Sequence, residues 1–250
     1  PNTTTVMRPQ YIQRAFTALA LIASLSFAAC KSDTPTPNPT PQPQPVFPKP
    51  DVNPNATPYV TRVLEYMPAV GQFTNTLPEY EAGDTQEDMN RKALEYLKDN
   101  QRGLVTLGGW GGYIVVGFDH TILNVPGKRD FRVLGNAFFG NANKEAYEGG
   151  SCEPGIIMVA YDANRNGRPD EDEWYEIEGS AHVDHTKEPW YTLVKTKVPG
   201  ADLNFYRDFE MTYHRPAKEP ESKDGWGTYI RWEDNKGNSG YKVKNQWHAQ

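Results

Sequence analysis

Cysteine is almost absent from this chain: its 250 residues include two, Cys30 and Cys152. A disulfide framework is thereby excluded, since Cys30 has a separate explanation and Cys152 is then alone. A basic excess is absent too, the formal net charge being -6. Nucleic-acid binding needs a basic stripe that tracks phosphates, so that partner class is set aside. An acidic surface favours solubility and draws cations. No repeat of propeller period is present. There is no G-x-S-x-G nucleophile turn, and Gly237-Asn238-Ser239-Gly240 lacks its spacing. The tract Gly108-Gly109-Trp110-Gly111-Gly112 lacks the lysine of a phosphate loop and the third glycine of a dinucleotide fingerprint. It reads instead as a close backbone approach or a bulge. Carboxylates abound, but nothing in the sequence sets two of them across a sugar. We therefore read a non-enzyme, with a polysaccharide hydrolase as the least supported alternative.

Long apolar runs are also missing, with one exception near the start. Arg8 and Arg14 precede an apolar stretch from Ala15 to Ala29, which ends in Phe27-Ala28-Ala29-Cys30. A positive start, a short apolar middle and small residues before a cut describe an export signal. The run is short for a membrane span. A cysteine directly after the cut resembles a bacterial lipobox, with Phe27 where Leu is commoner. That resemblance implies a lipid on Cys30, which would anchor the mature chain to a membrane. Met7 fits a start codon, which makes residues 1–6 an upstream extension. Lys31-Ser32-Asp33 partly resembles the short signals that send such lipoproteins to the cell surface.

Proline then fills the gap to the folded part. It recurs from Pro35 to Pro45 and again at Pro48, Pro50, Pro54 and Pro58. Such a segment buries no core and extends at roughly 3.1 Å per residue, so it spans on the order of 80 Å as a stalk. The chain thus divides into a leader (1–29), a lipidated cysteine with a proline-rich linker (30–58), and a surface domain (59–250). His248-Ala249-Gln250 closes no element, and we expect further strands beyond it.

Within the surface domain one helix is predicted, from Gln86 to about Asp99 and capped by Asp84 or Thr85. Met89, Ala93, Leu94 and Leu97 share its face. Elsewhere the pattern is β. Strands are predicted at Leu104–Leu107, Tyr113–Phe118, Phe131–Leu134, Tyr191–Val198, Asp208–Tyr213 and Thr228–Trp232, with a turn at Asp234-Asn235-Lys236-Gly237. Many short strands with Gly, Pro and Asn turns give a mainly β fold, a jelly-roll-like β-sandwich with one N-terminal helix.

The most specific chemistry lies in IIMVAYDANRNGRPDEDEWYEI, from Ile156 to Ile177. Asp162, Asn164, Asn166, Gly167, Asp170 and Glu173 match the D-x-[DN]-x-[DN]-G-x5-E spacing of a calcium loop at every position. Arg168 stands where such loops supply a main-chain carbonyl. Calcium takes six to eight hard oxygens, which alternate residues of a tightly wound loop can present. The flanks Ile156–Ala160 and Trp174–Ile177 lack a helical period, so the arrangement is strand, loop, strand and not an EF-hand. A solvated acidic turn without an ion is the competing reading.

Other candidates carry less. His182, Asp184 and His185, with Glu188 beyond, offer zinc-type donors without a fixed third ligand. Aromatics set among Gly, Asn, Asp and His can stack on sugars or planar ligands. Trp110 and Trp226, each flanked by glycine, are the chosen ligand-binding candidates, whereas packing accounts for many others.

The run GGWGGYIVVGFDHTILNVPGKRDFRVLGNAF, then EPGIIMVAYDANRNGRPDEDEWYEIEGS, then GWGTYIRWEDNKGNSGY, resembles a family of Bacteroidota cell-surface lipoproteins, often described as PKD-like. The resemblance covers roughly residues 60 to 250. It implies a jelly-roll-like sandwich at the outer-membrane surface, without an assigned activity. It also implies, loosely, nutrient capture beside an outer-membrane transporter, with a glycan or corrinoid as ligand. This chain has one residue more between Asp170 and Trp174 than the family pattern, leaving Asp172 and Glu173 as alternatives for closing the calcium shell. A structural or adhesive surface protein without a small ligand is the alternative function.

Overall fold

The structure is a computed structural model that describes residues 3–6, 53–100, 103–140, 150–201, 203 and 209–244. The leader from residue 7, Cys30, the linker through residue 52 and Trp247 lie outside the described residues. Among the described residues there are ten strands and two α-helices: β1 (Thr3–Val6), β2 (Arg62–Met67), α1 (Gln86–Leu97), β3 (Tyr113–Gly117), β4 (Ala137–Phe139), β5 (Gly150–Cys152), β6 (Met158–Ala160), β7 (Trp174–Glu176), α2 (Pro189–Lys197), β8 (Met211–His214), β9 (Ile230–Asp234) and β10 (Ser239–Lys242). The strands form one four-stranded sheet, β1-β8-β9-β10, and three two-stranded sheets, β2-β3, β4-β5 and β6-β7. Every pairing is antiparallel. The fold is therefore mainly β with few helices. Among the described residues no helix is long and apolar enough to cross a membrane.

Helix α1 begins where its cap predicts. Thr85 is the N-cap, and its hydroxyl accepts from the Asp88 amide while Asp88 accepts from the Thr85 amide. The Thr85 hydroxyl and amide, then Arg91, hold the Asp88 carboxyl well below the usual carboxylate range. Asp84, the other cap candidate, instead accepts from the Glu81 amide and pairs with Lys92 at 2.8 Å. The helix ends at Leu97, two residues before the expected limit, and a tight turn comes next with Asp99 at φ 57°. Ala93 is fully buried against β2, with Met89, Leu94 and Leu97 half-buried.

The polar side of α1 does something the sequence pattern does not announce. Asn90 accepts from the Tyr66 amide at 2.8 Å and donates to the Leu64 carbonyl at 3.1 Å. Gln86 donates to the Tyr66 carbonyl at 2.8 Å. Two side-chain amides thus satisfy an edge of β2 that would otherwise invite another strand. The other edge pairs with β3 across a bulge between Val63 and Glu65.

Three strand expectations are corrected. In place of the strand Tyr191–Val198, residues 191–197 are helical, as part of α2, with Val198 as its C-cap: Pro189 at the first turn presets φ and lacks only an amide that would be orphaned anyway. Lys195 and Lys197 at the C-terminal end suit the helix dipole, and Lys195 lies over the Tyr191 ring four residues earlier. These local signals outweigh the β preference of Tyr, Thr and Val. Leu104–Leu107 runs without a ladder, because its main-chain bonds go singly to a loop: Thr106 donates to Leu77, and Leu107 accepts from Ala69. Phe131–Leu134 is not a strand; Val133 and Leu134 are largely exposed, and the strand forms later, as β4.

The core is small and joins the segment just after β2 to the four-stranded sheet. Ala69, Tyr213 and Ile230 are buried together, with Val70, Met211, Tyr229 and Trp232 packed around them. Tyr66 is buried separately, its hydroxyl set between the Thr106 and Leu77 carbonyls. The glycine tract makes this junction possible. A Cβ at Gly109 would lie 2.6 Å from the Val70 carbonyl oxygen and 2.8 Å from the Tyr213 hydroxyl. The turn between β9 and β10 forms as expected, with Asp234 accepting from the amides of Lys236 and Asn238 and Gly237 at φ 88°.

Candidate metal centre

Strands β6 and β7 pair in register, Ala160 opposite Trp174 and Met158 opposite Glu176. The acidic loop closes this hairpin, so the strand-loop-strand arrangement is present. Inside the loop, side-chain oxygens hold main-chain amides. Asp162 accepts from Asn166 at 2.9 Å and from Gly167 at 2.8 Å. Asn164 accepts from the Asn166 amide, and Asn166 accepts from the Arg168 amide. Such turns wind the chain tightly, and Arg165 and Gly167 take positive φ values of 60° and 81°.

Glu173 locks the far side. One carboxylate oxygen accepts from Ala163 and the other from Asp170, both at 2.8 Å. Asp172 is exposed and makes no such contact. Of the two acids left open by the sequence, Glu173 is therefore the one folded into the loop. Arg168 turns its side chain to solvent, in keeping with a main-chain role at that position.

The two asparagines converge on one carboxylate. The side-chain nitrogens of Asn164 and Asn166 donate to the same Asp170 oxygen, at 2.5 Å and 2.9 Å. Each asparagine side-chain oxygen already accepts one loop amide and keeps a second lone pair that a cation can take. The donor set is then oxygen throughout, which suits a hard cation such as calcium and not a thiolate- or imidazole-seeking metal. Among the described residues no group of three or more His, Cys, Asp or Glu forms a ready-made metal cage. In this loop asparagines stand between the carboxylates, both Asn164 and Asn166 donating to Asp170.

Tyr161 and Tyr175 wall a shallow hollow over Asn164, Asp170 and Glu173, and Asp172 also lines it. The loop motif does not single out Tyr161; its place one residue before Asp162, at the end of a strand, is the signal that would have found it.

The remaining candidates separate. His182 pairs with Glu176 at 3.1 Å, Asp184 pairs with Lys187, and His185 stacks on Trp190. Glu188 is the N-cap residue of α2, without a side-chain cap bond. These four do not assemble a zinc site. Trp110 is partly exposed, but its indole nitrogen donates to the Phe209 carbonyl and its own carbonyl accepts from the Tyr213 hydroxyl. Trp226 is half-buried under Lys223, and its carbonyl accepts from the Lys244 amide. Neither tryptophan lines the hollow over the loop. The chain matches no family model and no curated protein.

Proposed function

We propose that this chain is a surface-exposed outer-membrane lipoprotein, anchored through a lipid on Cys30, whose β domain is clamped by calcium. It captures an extracellular nutrient, a glycan or a corrinoid, beside an uptake system and does no chemistry on it. We read its small sheets as parts of a jelly-roll-like sandwich. The observation that carries the reading is the convergence of Asp162, Asn164, Asn166, Asp170 and Glu173 within one loop. A cation there replaces a cluster of like charges with a closed oxygen shell and fixes the β6-β7 hairpin. The export signal, lipobox and proline stalk supply the surface location. Trp110 and Trp226 remain the proposed ligand contacts, Trp226 the better of the two because the Trp110 indole N–H is already engaged.

Thermal unfolding with chelator, then with rising calcium, tests the clamp. A saturable rise in melting temperature that disappears in Asp162→Ala supports it; no rise at millimolar calcium reduces the loop to an acidic turn. Mass spectrometry of the membrane-extracted protein tests the anchor, which requires an acylated Cys30 as first residue.

A second reading, an adhesive or structural surface protein, has its own support. Leu123, Val133, Leu134, Phe138 and Phe139 are each more than half exposed, and apolar side chains left in solvent are what an adhesive surface would offer a partner. Binding to a cell-surface protein, with no binding across a glycan and corrinoid panel, favours that reading.

A further inference from the structure

Among the described residues, strand β8 has β9 on one side and the four-residue β1 on the other. Residues 3–6 precede both Met7 and Cys30, so a lipoprotein that begins at Cys30 lacks them. Without them, no other described strand covers that side of β8. We propose, on the basis of that processing, that this edge pairs with β8 of a second copy, forming a two-fold antiparallel dimer centred on Thr212.

The register is set by which way the main chain points. Glu210 accepts from the Asn235 amide at 3.1 Å, on the β9 side. Main-chain groups alternate sides along a strand, so Thr212 and His214 also face β9, while Met211 and Tyr213 face outward. The β1 pairing uses those two, with Val6 opposite Met211 and Thr4 opposite Tyr213. A two-fold antiparallel pair must set one residue opposite its own copy, because bonded and unbonded positions alternate. Centring on Thr212 makes Met211 and Tyr213 the bonded pair, twice. It also sets the exposed Glu210 opposite His214 of the second copy, at both ends, where the His214 ring already meets Glu233 at 3.0 Å and Arg231 at 2.9 Å on β9. Centring on Tyr213 would instead set Glu210 opposite Pro216, which has no charge and no N–H to offer. A short edge pairs weakly by itself, and anchoring both copies in one membrane raises their effective concentration.

Thr212→Cys tests the register, since only a residue on the axis meets itself. In an unbonded antiparallel pair the Cβ atoms approach to about 4.5–5.5 Å, near disulfide range. The full gene carrying Cys152→Ser and Thr212→Cys is expressed, its N-terminus read by mass, and the membranes treated with copper-catalysed air oxidation. The expected result is a reducible dimer on a non-reducing gel. It should be at least several-fold weaker with His214→Cys in place of Thr212→Cys, and lost on adding Glu210→Lys. No cross-link from protein that begins at Cys30, or one indifferent to Glu210→Lys, overturns the proposal. If the N-terminus is not Cys30, the processing reading fails separately. Where the protein read by mass still carries residues 3–6, Thr4→Pro with Val6→Pro uncovers the edge by removing the N–H groups that face β8; absence of the cross-link in that variant, or in a protein that starts at Met7, overturns the dimer as well.

Discussion

The indole nitrogen of Trp110 donates to the main-chain carbonyl of Phe209 at 2.8 Å across 99 residues of sequence, and the two rings meet edge to face at 5.1 Å. This contact ties the glycine turn to the segment entering β8. Trp110→Phe keeps a ring but loses the donor, so it should lower stability by about 1 kcal/mol. Trp110→Ala also loses the packing and should cost about 2–3 kcal/mol, less than a fully buried tryptophan. Urea unfolding measures both. A tryptophan that served only to stack on a ligand would leave the midpoint unchanged.

Calcium should raise the unfolding free energy by about 2.7 kcal/mol at a hundred times its dissociation constant. Glu173→Ala should remove this gain, and Asp172→Ala should leave it intact. The reverse result would mean that the extra residue before Trp174 shifts the closing ligand. Calorimetric titration of the two variants decides between the acids.

Asn90→Ala should cost about 1–3 kcal/mol, because it strips partners from both the Tyr66 amide and the Leu64 carbonyl. Asn90→Asp keeps the acceptor for Tyr66 and loses the donor to Leu64, so a smaller loss is expected. Thermal melts of the three proteins rank them. Equal melting temperatures would mean that the covered edge contributes nothing.

Burial pushes the hydroxyls of Tyr66 and Tyr213 up to about 12. A folded-state value above the unfolded one of about 10 means that the folded chain binds more protons between them. Their contribution to stability is then whole below about pH 10 and declines as the pH climbs from there towards 12. Absorbance at 295 nm should show the Tyr66 and Tyr213 hydroxyls ionising late, together with loss of structure. Tyr213→Phe should remove one late step.

What the sequence disclosed lies mostly within a dozen residues. Thr85 with Asp88, the Asp162–Glu173 spacing and the Asp234–Gly237 turn each carry their own hydrogen-bond partners, so spacing suffices to read them. Tyr191–Val198 misled because its residues favour strands, while Pro189 and the C-terminal lysines favour a helix. The bond from Trp110 to Phe209 and the grip of Asn90 on Tyr66 depend on where distant segments meet. No local pattern encodes them, and a tryptophan between glycines reads as surface until its partner is known. The sandwich expectation was legible only as β content. Sheet order depends on pairings such as β8 with β9, which hydrophobic alternation leaves open.

The side-chain closure of the β2 edge also makes one proton a gauge of the helix. A strand that pairs on an edge protects many amides at once. Here the Tyr66 amide is held by Asn90 alone. In hydrogen exchange that proton should be as slow as one inside a sheet while α1 is docked, and should exchange whenever the helix lifts away. Its rate therefore reports the undocking of a single element, without the rest of the chain unfolding.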